Sequence, residues 1–214
     1  ALIGILSVVD DALVQTEQES LVGALFSAMS KDLSDASVQQ AGFDALHSLC
    51  IRTDCLKSHI CYMVRIIVEA IECHFGCVSV LTRCCSLLRA TLHMDGDKQV
   101  LADLGAARLL INAIMIHPTS TEFVLEALAT LKDLAADETT RGSIDAAEAE
   151  AAIVSMLAAS RYKPDVLALA FAALNNVVVD SKTRTVASMQ RPVLNCIVSS
   201  LKSYPNDQDV LKNS

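Results

Sequence analysis

The sequence predicts an all-helical fold assembled from a repeated unit of three helices, and three observations lead there. The chain has 214 residues, 52% of them hydrophobic, with only seven Gly and four Pro; that is enough apolar material for a continuous core and few residues that break helices. A twelve-residue block recurs at 39–50, 81–92, 124–135 and 167–178, with starts 42, 43 and 43 residues apart. A shorter apolar block begins 14 residues before each of them, and self-similarity at such a period marks a repeat architecture. Aromatic residues make up only 4% and Trp is absent. The core must therefore be built from Leu, Ile, Val, Ala and Cys, which suits helix layered on helix better than a β-sandwich.

The long block defines the longest helix of the unit. It reads QQAGFDALHSLC, LTRCCSLLRATL, VLEALATLKDLA and LALAFAALNNVV in its four copies. The eighth position is always Leu (Leu46, Leu88, Leu131, Leu174), the fifth is large or apolar (Phe43, Cys85, Leu128, Phe171), and the fourth is small (Gly42, Cys84, Ala127, Ala170). Positions four, five and eight fall on one side of a helix with 3.6 residues per turn, which predicts a buried stripe.

The shorter block reads LFSAM at 25–29, IVEAI at 67–71, LINAI at 110–114, IVSML at 153–157 and IVSSL at 197–201. Each copy is apolar-apolar-x-x-apolar and predicts a medium helix; the partner of the last copy would begin at Leu211. Between the blocks lie short segments with helix-start chemistry. Asp137–Arg141 and Asp180–Arg184 each open with an Asp able to accept from exposed backbone N–H groups. Gly105 and Pro192 sit just before the second block, and His117-Pro118, Lys163-Pro164 and Tyr204-Pro205 just after it. The unit is a short first helix, a medium second and a long third.

A three-helix unit of about 42–44 residues resembles the armadillo repeat family. The residues that carry the resemblance are the AL-x-x-L cores (Ala45-Leu46, Thr130-Leu131, Ala173-Leu174), the run LADLGAARLLINAI at 101–114, and the HP-x-x-x-x-x-V junction at 117–124. It implies a right-handed armadillo-type α-solenoid covering 1–214 as one array. Its units are a partial one at 1–38, four at about 39–80, 81–123, 124–166 and 167–210, and a partial one at 211–214. HEAT repeats have two helices per unit, and the separately capped first segments argue against them. Ala1–Val9 reads as the second half of a third helix and Val210–Ser214 as the beginning of another, so a piece of a longer array is expected.

Charge and chemistry narrow the function. The net charge is −8 and the pI about 5.0; an acidic surface disfavours nucleic acid and anionic membranes. No stretch reaches the roughly 18–20 apolar residues of a membrane span, and the apolar start lacks the basic flank and cleavage site of a signal peptide. With eight cysteines and no export signal, reduced thiols in the cytoplasm, with the nucleus as the other compartment, are expected. Cys50, Cys55, Cys61, Cys73, Cys77, Cys84 and Cys85 cluster with His47, His59 and His74. A zinc site would want closely paired thiolates, and the nearest pairing is Cys73-x3-Cys77, so buried structural thiols are the expectation. Nucleophile elbow, phosphate loop and zinc-protease motifs are absent. No catalytic residue, cofactor, metal or small-molecule substrate is therefore expected.

What remains is the face of the third helices, which in the armadillo fold line a concave groove. The third, sixth and tenth positions of each block are the expected exposed ones: Ala41, Asp44 and Ser48; Arg83, Ser86 and Ala90; Glu126, Ala129 and Asp133; Leu169, Ala172 and Asn176. Importin-α-like proteins carry a Trp and an Asn there that clamp a basic peptide. Here the Trp positions hold Asp44, Ser86, Ala129 and Ala172, and only Asn176 matches the Asn, so a nuclear-import role is disfavoured. β-catenin-like arrays present rows of Lys and Arg; this face offers Arg83 against Asp44, Glu126 and Asp133. The expected partner is a neutral or basic protein segment, and the expected function a non-catalytic interaction scaffold. The alternative is an arm of a larger protein such as the large leucine-rich-repeat kinases, whose arrays show VQ-x-x-x-x-x-AL-x-x-L blocks like Val38 to Leu49.

Overall fold

The computed structural model describes residues 19–52, 56–94, 98–159, 163–178 and 191–213. Among these residues the chain is helical, with no strand. The helices are α1 (19–31), α2 (Ala36–Arg52), α3 (Ile60–Cys73), α4 (Val78–Leu92), α5 (Gln99–Asp103), α6 (Ala106–Ile116), α7 (Thr121–Ala136), α8 (Glu138–Arg141), α9 (Ala146–Ala159), α10 (Pro164–Val178), α11 (Arg191–Ser203) and α12 (Gln208–Asn213). A single 3-10 turn, Lys57–His59, precedes α3. Ala1–Val9, Cys55 and Asp180–Arg184 lie outside the described residues. No described helix is long and apolar enough to cross a membrane.

Lengths follow the expected short, medium and long order. In the clearest unit α5 has 5 residues, α6 has 11 and α7 has 16. Boundaries fall where local chemistry places them. Asp137 is the N-cap of α8, and its carboxylate accepts from the N–H groups of Thr139 and Thr140 at 3.0 and 3.3 Å. Asp35 does the same before α2, accepting from Ser37 N–H at 2.8 Å and Val38 N–H at 3.3 Å. Gly105 separates α5 from α6 with φ of 67°, a left-handed conformation that glycine adopts without a Cβ clash. Pro164 opens α10, where a missing N–H costs nothing.

Packing is organised by helix class. The long helices touch in the order α2, α4, α7, α10, α12. The medium helices run beside them, with α3 on α6, α6 on α9 and α9 on α11. The short α5 and α8 touch each other, and α1 meets α3 through the rings of Phe26 and Tyr62, whose centroids are 4.8 Å apart.

The stripe drawn from the sequence is the core. Phe43, Leu46, Cys84, Cys85, Leu88, Ala127, Leu128, Leu131, Ala170, Phe171 and Leu174 are all buried. At the small fourth position, Gly42 sits against the side chain of fully buried Met29, and a Cβ there would collide with it. The medium helices bury theirs less evenly. Ile67, Leu110 and Ile153 are buried, but in the last copy Val198 is 48% exposed; among the described helices α11 packs mainly on α9 and α12.

Leu131 lies in α7 between α4 and α10 with no exposed surface, so Leu131→Ala should cost about 2–5 kcal/mol. Leu211→Ala, at a half-exposed site, should stay within about 0.5 kcal/mol. Urea denaturation of both variants measures the contrast, and equal losses would mean the helix register is wrong.

Candidate interaction face

Four third helices lie side by side, and the expected face residues fall along them as follows. Ala41, Asp44, Ser48 and Arg83 are exposed; Ser86, Ala90, Glu126, Asp133, Leu169, Ala172 and Asn176 are half-buried. Ala129 is a correction: at 8% exposure it is buried, on a helix that α4 and α10 flank on either side and with a methyl group too short to reach past them.

The charged members are not free. Arg83 Nε of α4 lies 3.1 Å from Asp44 Oδ1 of α2, with both side chains about half exposed. Between α4 and α7 the centre is Arg89, at the ninth position of its block. Its Nη1 donates to Glu126 Oε2 at 3.1 Å and its Nε to Asp133 Oδ2 at 3.3 Å. Ser86 Oγ donates to the same Glu126 oxygen at 3.2 Å. Lys132 Nζ lies 3.5 Å from Asp133 Oδ1, and His93 Nε2 lies 3.8 Å from Asp133 Oδ2. Asp133 is only 16% exposed, so it is a packed group and not the solvated side chain its position suggested. Asn176 Nδ2 of α10 donates to the Lys132 carbonyl at 3.1 Å.

Two consequences follow for the electrostatics. The carboxylates Asp44, Glu126 and Asp133 are matched by the cations Arg83, Arg89 and Lys132, three against three, so this face lacks the acidic excess read from the sequence. The face also divides. The α2–α4–α7 part is cross-linked by ion pairs, while the α7–α10 part presents Leu169, Ala172 and Asn176 without charge.

Sequence reasoning missed the ninth position, occupied by His47, Arg89, Lys132 and Asn175. The signal was present in one copy: a polar or basic residue stands at the ninth position of every block, and after Arg89 the following block holds carboxylates at its third and tenth positions, Glu126 and Asp133. It also named His74 and His117 without joining them as a pair 43 residues apart on the repeat grid. His74, the C-cap of α3, donates Nε2–H to the Leu33 carbonyl at 2.7 Å, and His117, the C-cap of α6, donates to the Phe75 carbonyl at 2.6 Å. Each reaches back to the turn between medium and long helix of the preceding unit.

The thiols separate by environment. Cys84 and Cys85 are buried, and burial pushes both thiols well up. Cys50 and Cys77 are partly exposed, and Cys61 and Cys73 are exposed, so the expectation of buried thiols throughout fails for the α3 pair. Cys61 and Cys73 are twelve residues apart, outside the apolar stripe of α3. At the start of α4 the Ser79 hydroxyl, with the Val80 N–H, holds the Cys77 thiol below its ordinary range. Among the described residues, no three of His, Cys, Asp and Glu come together as a group that could hold a metal.

At the far end of the long helices Lys98 Nζ lies 2.7 Å from Asp137 Oδ2. That ammonium, with the N–H groups of Thr140 and Thr139, holds the Asp137 carboxyl below its ordinary range against the opposing effect of burial. No family model matches the chain, and neither a curated protein nor a solved structure matches it.

Because Asp133 holds Arg89 and is largely buried, Asp133→Ala should cost about 1–2 kcal/mol. Asp44→Ala, in an exposed pair, should cost under about 0.5 kcal/mol; denaturant midpoints for the two variants check the order. The carboxyl groups of Asp137 and Asp35 are both held low in the folded state. Their contribution to stability is full above the ordinary carboxylate range and lost as pH falls through the folded values. Melting temperature should therefore hold down to about pH 4 and drop below it, and Asp137→Asn should flatten that drop. With a chromogenic disulfide, Cys61 and Cys73 should react in the native protein while Cys84 and Cys85 stay silent until unfolding. Labelling located by peptide mass mapping tests it.

Proposed function

We propose that the chain is a non-catalytic, armadillo-type α-solenoid scaffold that holds an extended or helical segment of a partner protein along the face of its third helices. The observation that carries this reading is the side-by-side order α2, α4, α7, α10, which aligns one position of every repeat on a single surface. An array of this kind offers a long, shallow, multi-point surface in place of a closed pocket. The charge pattern refines the partner. With the carboxylates of α2 and α7 already matched by Arg83, Arg89 and Lys132, a basic segment gains little, since it would have to displace a partner already in place. The segment that fits is uncharged where it meets α7 and α10, against Leu169, Ala172 and Asn176.

The test is a comparison of two double variants with wild-type melting temperatures. Proteins captured from native lysate by the wild-type chain should be lost with Leu169→Glu/Ala172→Glu. They should be retained with Met115→Glu/Ile116→Glu, whose parent residues are exposed at the end of α6. Loss in the second variant and retention in the first would move the working surface to the medium helices and sink this assignment.

A further inference from the structure

The links between successive repeats differ in kind from one end of the long helices to the other. At the end where a medium helix turns into a long one, the links are imidazole hydrogen bonds to backbone carbonyls. Nε2–H of His74 donates to the Leu33 carbonyl and Nε2–H of His117 to the Phe75 carbonyl. His74 and Phe75 are adjacent, so the two bonds form one line running from the turn before α2, through the turn before α4, to the turn before α7. His74 is 9% exposed, and the His117 ring is further fixed edge-on to Phe123, at 6.0 Å between centroids. A carbonyl only accepts, so the imidazole keeps its proton on Nε2.

Along the helices a buried hydroxyl bond, Thr130 Oγ1–H to the Cys85 carbonyl at 3.2 Å, joins α4 to α7 beside the Arg89 ion pairs, and at the other end the link is ionic. Arg89 reaches Glu126 and Asp133, and Lys98 reaches Asp137 just past the last residue of α7. Helix α7 has 16 residues, so the two ends are about 24 Å apart. The ionic side chains keep between 16% and 35% of their surface in contact with solvent. Their attraction is therefore open to screening, whose range shrinks from about 10 Å at 0.1 M salt to about 3 Å at 1 M. A hydrogen bond to an uncharged, half-buried carbonyl is screened far less.

We propose that the layers of α4 and α7 are hinged: pinned at the histidine end of the long helices and free to open at the ion-paired end. Ionic strength, or a charged ligand competing for Arg89 or Lys98, then changes the angle between the two layers without unfolding either. The device sets the spread of the α4–α7 interface while the turns at Phe75 and His117 stay joined.

Residue-resolved hydrogen exchange on the full chain tests this, with two amides reporting on each end. Cys77 N–H, bonded to the His74 carbonyl at 2.8 Å, and Ser120 N–H, bonded to the His117 carbonyl at 3.2 Å, lie at the pinned end. Leu101 N–H, on the Lys98 carbonyl at 3.1 Å, and Arg141 N–H, on the Asp137 carbonyl at 2.9 Å, lie at the opening end. Raising sodium chloride from about 0.1 to about 1 M, or introducing Lys98→Met at low salt, should speed exchange several-fold at Leu101 and Arg141 and leave Cys77 and Ser120 unchanged. His117→Phe keeps a ring against Phe123 and removes the donor, and it should reverse the pattern. Equal acceleration at both ends under either perturbation, or none at either end, overturns the hinge.

Discussion

The structure depends on one constraint: the stripe of each long helix must be kept from water by the long helices on either side of it. A single helix of 15 to 17 residues cannot cover its own stripe, and among the described residues no strand is present to cover it. The stripe is therefore covered by repetition. A small residue at the fourth position lets helices close up, as where Gly42 of α2 meets Met29 of α1, and Leu at the eighth position is buried in every copy. On α11, by contrast, Val198 is about half exposed.

Once the long helices are forced side by side, polar groups at their margins meet one another as well as water. This changes what the exposed positions mean. A carboxylate such as Asp133 that would be solvated on an isolated helix becomes a packed group with three cationic or ionisable neighbours, Arg89, Lys132 and His93. The face that repetition creates is consequently balanced in charge even though the chain as a whole is acidic. Net charge belongs to the molecule; complementarity belongs to the patch.

The parts of this that could be read in the sequence are those with a period. Burial at Phe43, Leu88, Leu131 and Leu174 follows from helical geometry alone, and so does the capping by Asp137, because both are decided within one unit. The parts that could not be read are decided between units. Arg89 had no visible partner because Glu126 lies 37 residues away, and reaching it depends on how closely α4 and α7 approach. Ala129 was expected in solvent because periodicity fixes a direction and not the depth of the neighbouring surfaces. The histidine ties stand between the two cases: a 43-residue spacing was there to see, yet His74 read as a member of the cysteine cluster and His117 as loop punctuation until their acceptors were placed.

Arg89 has one more consequence, for uniqueness. An apolar stripe that repeats every three to four residues is nearly self-similar under translation, so α7 could slip one turn along α4 and still bury Leu, Ala and Leu against it. Glu126 and Asp133 stand seven residues apart on α7, and one guanidinium meets both only at a single axial setting. A slip of one turn would carry both carboxylates past it. The pair thus acts as a detent: it adds little to the depth of the energy well, yet it removes the degenerate wells on either side.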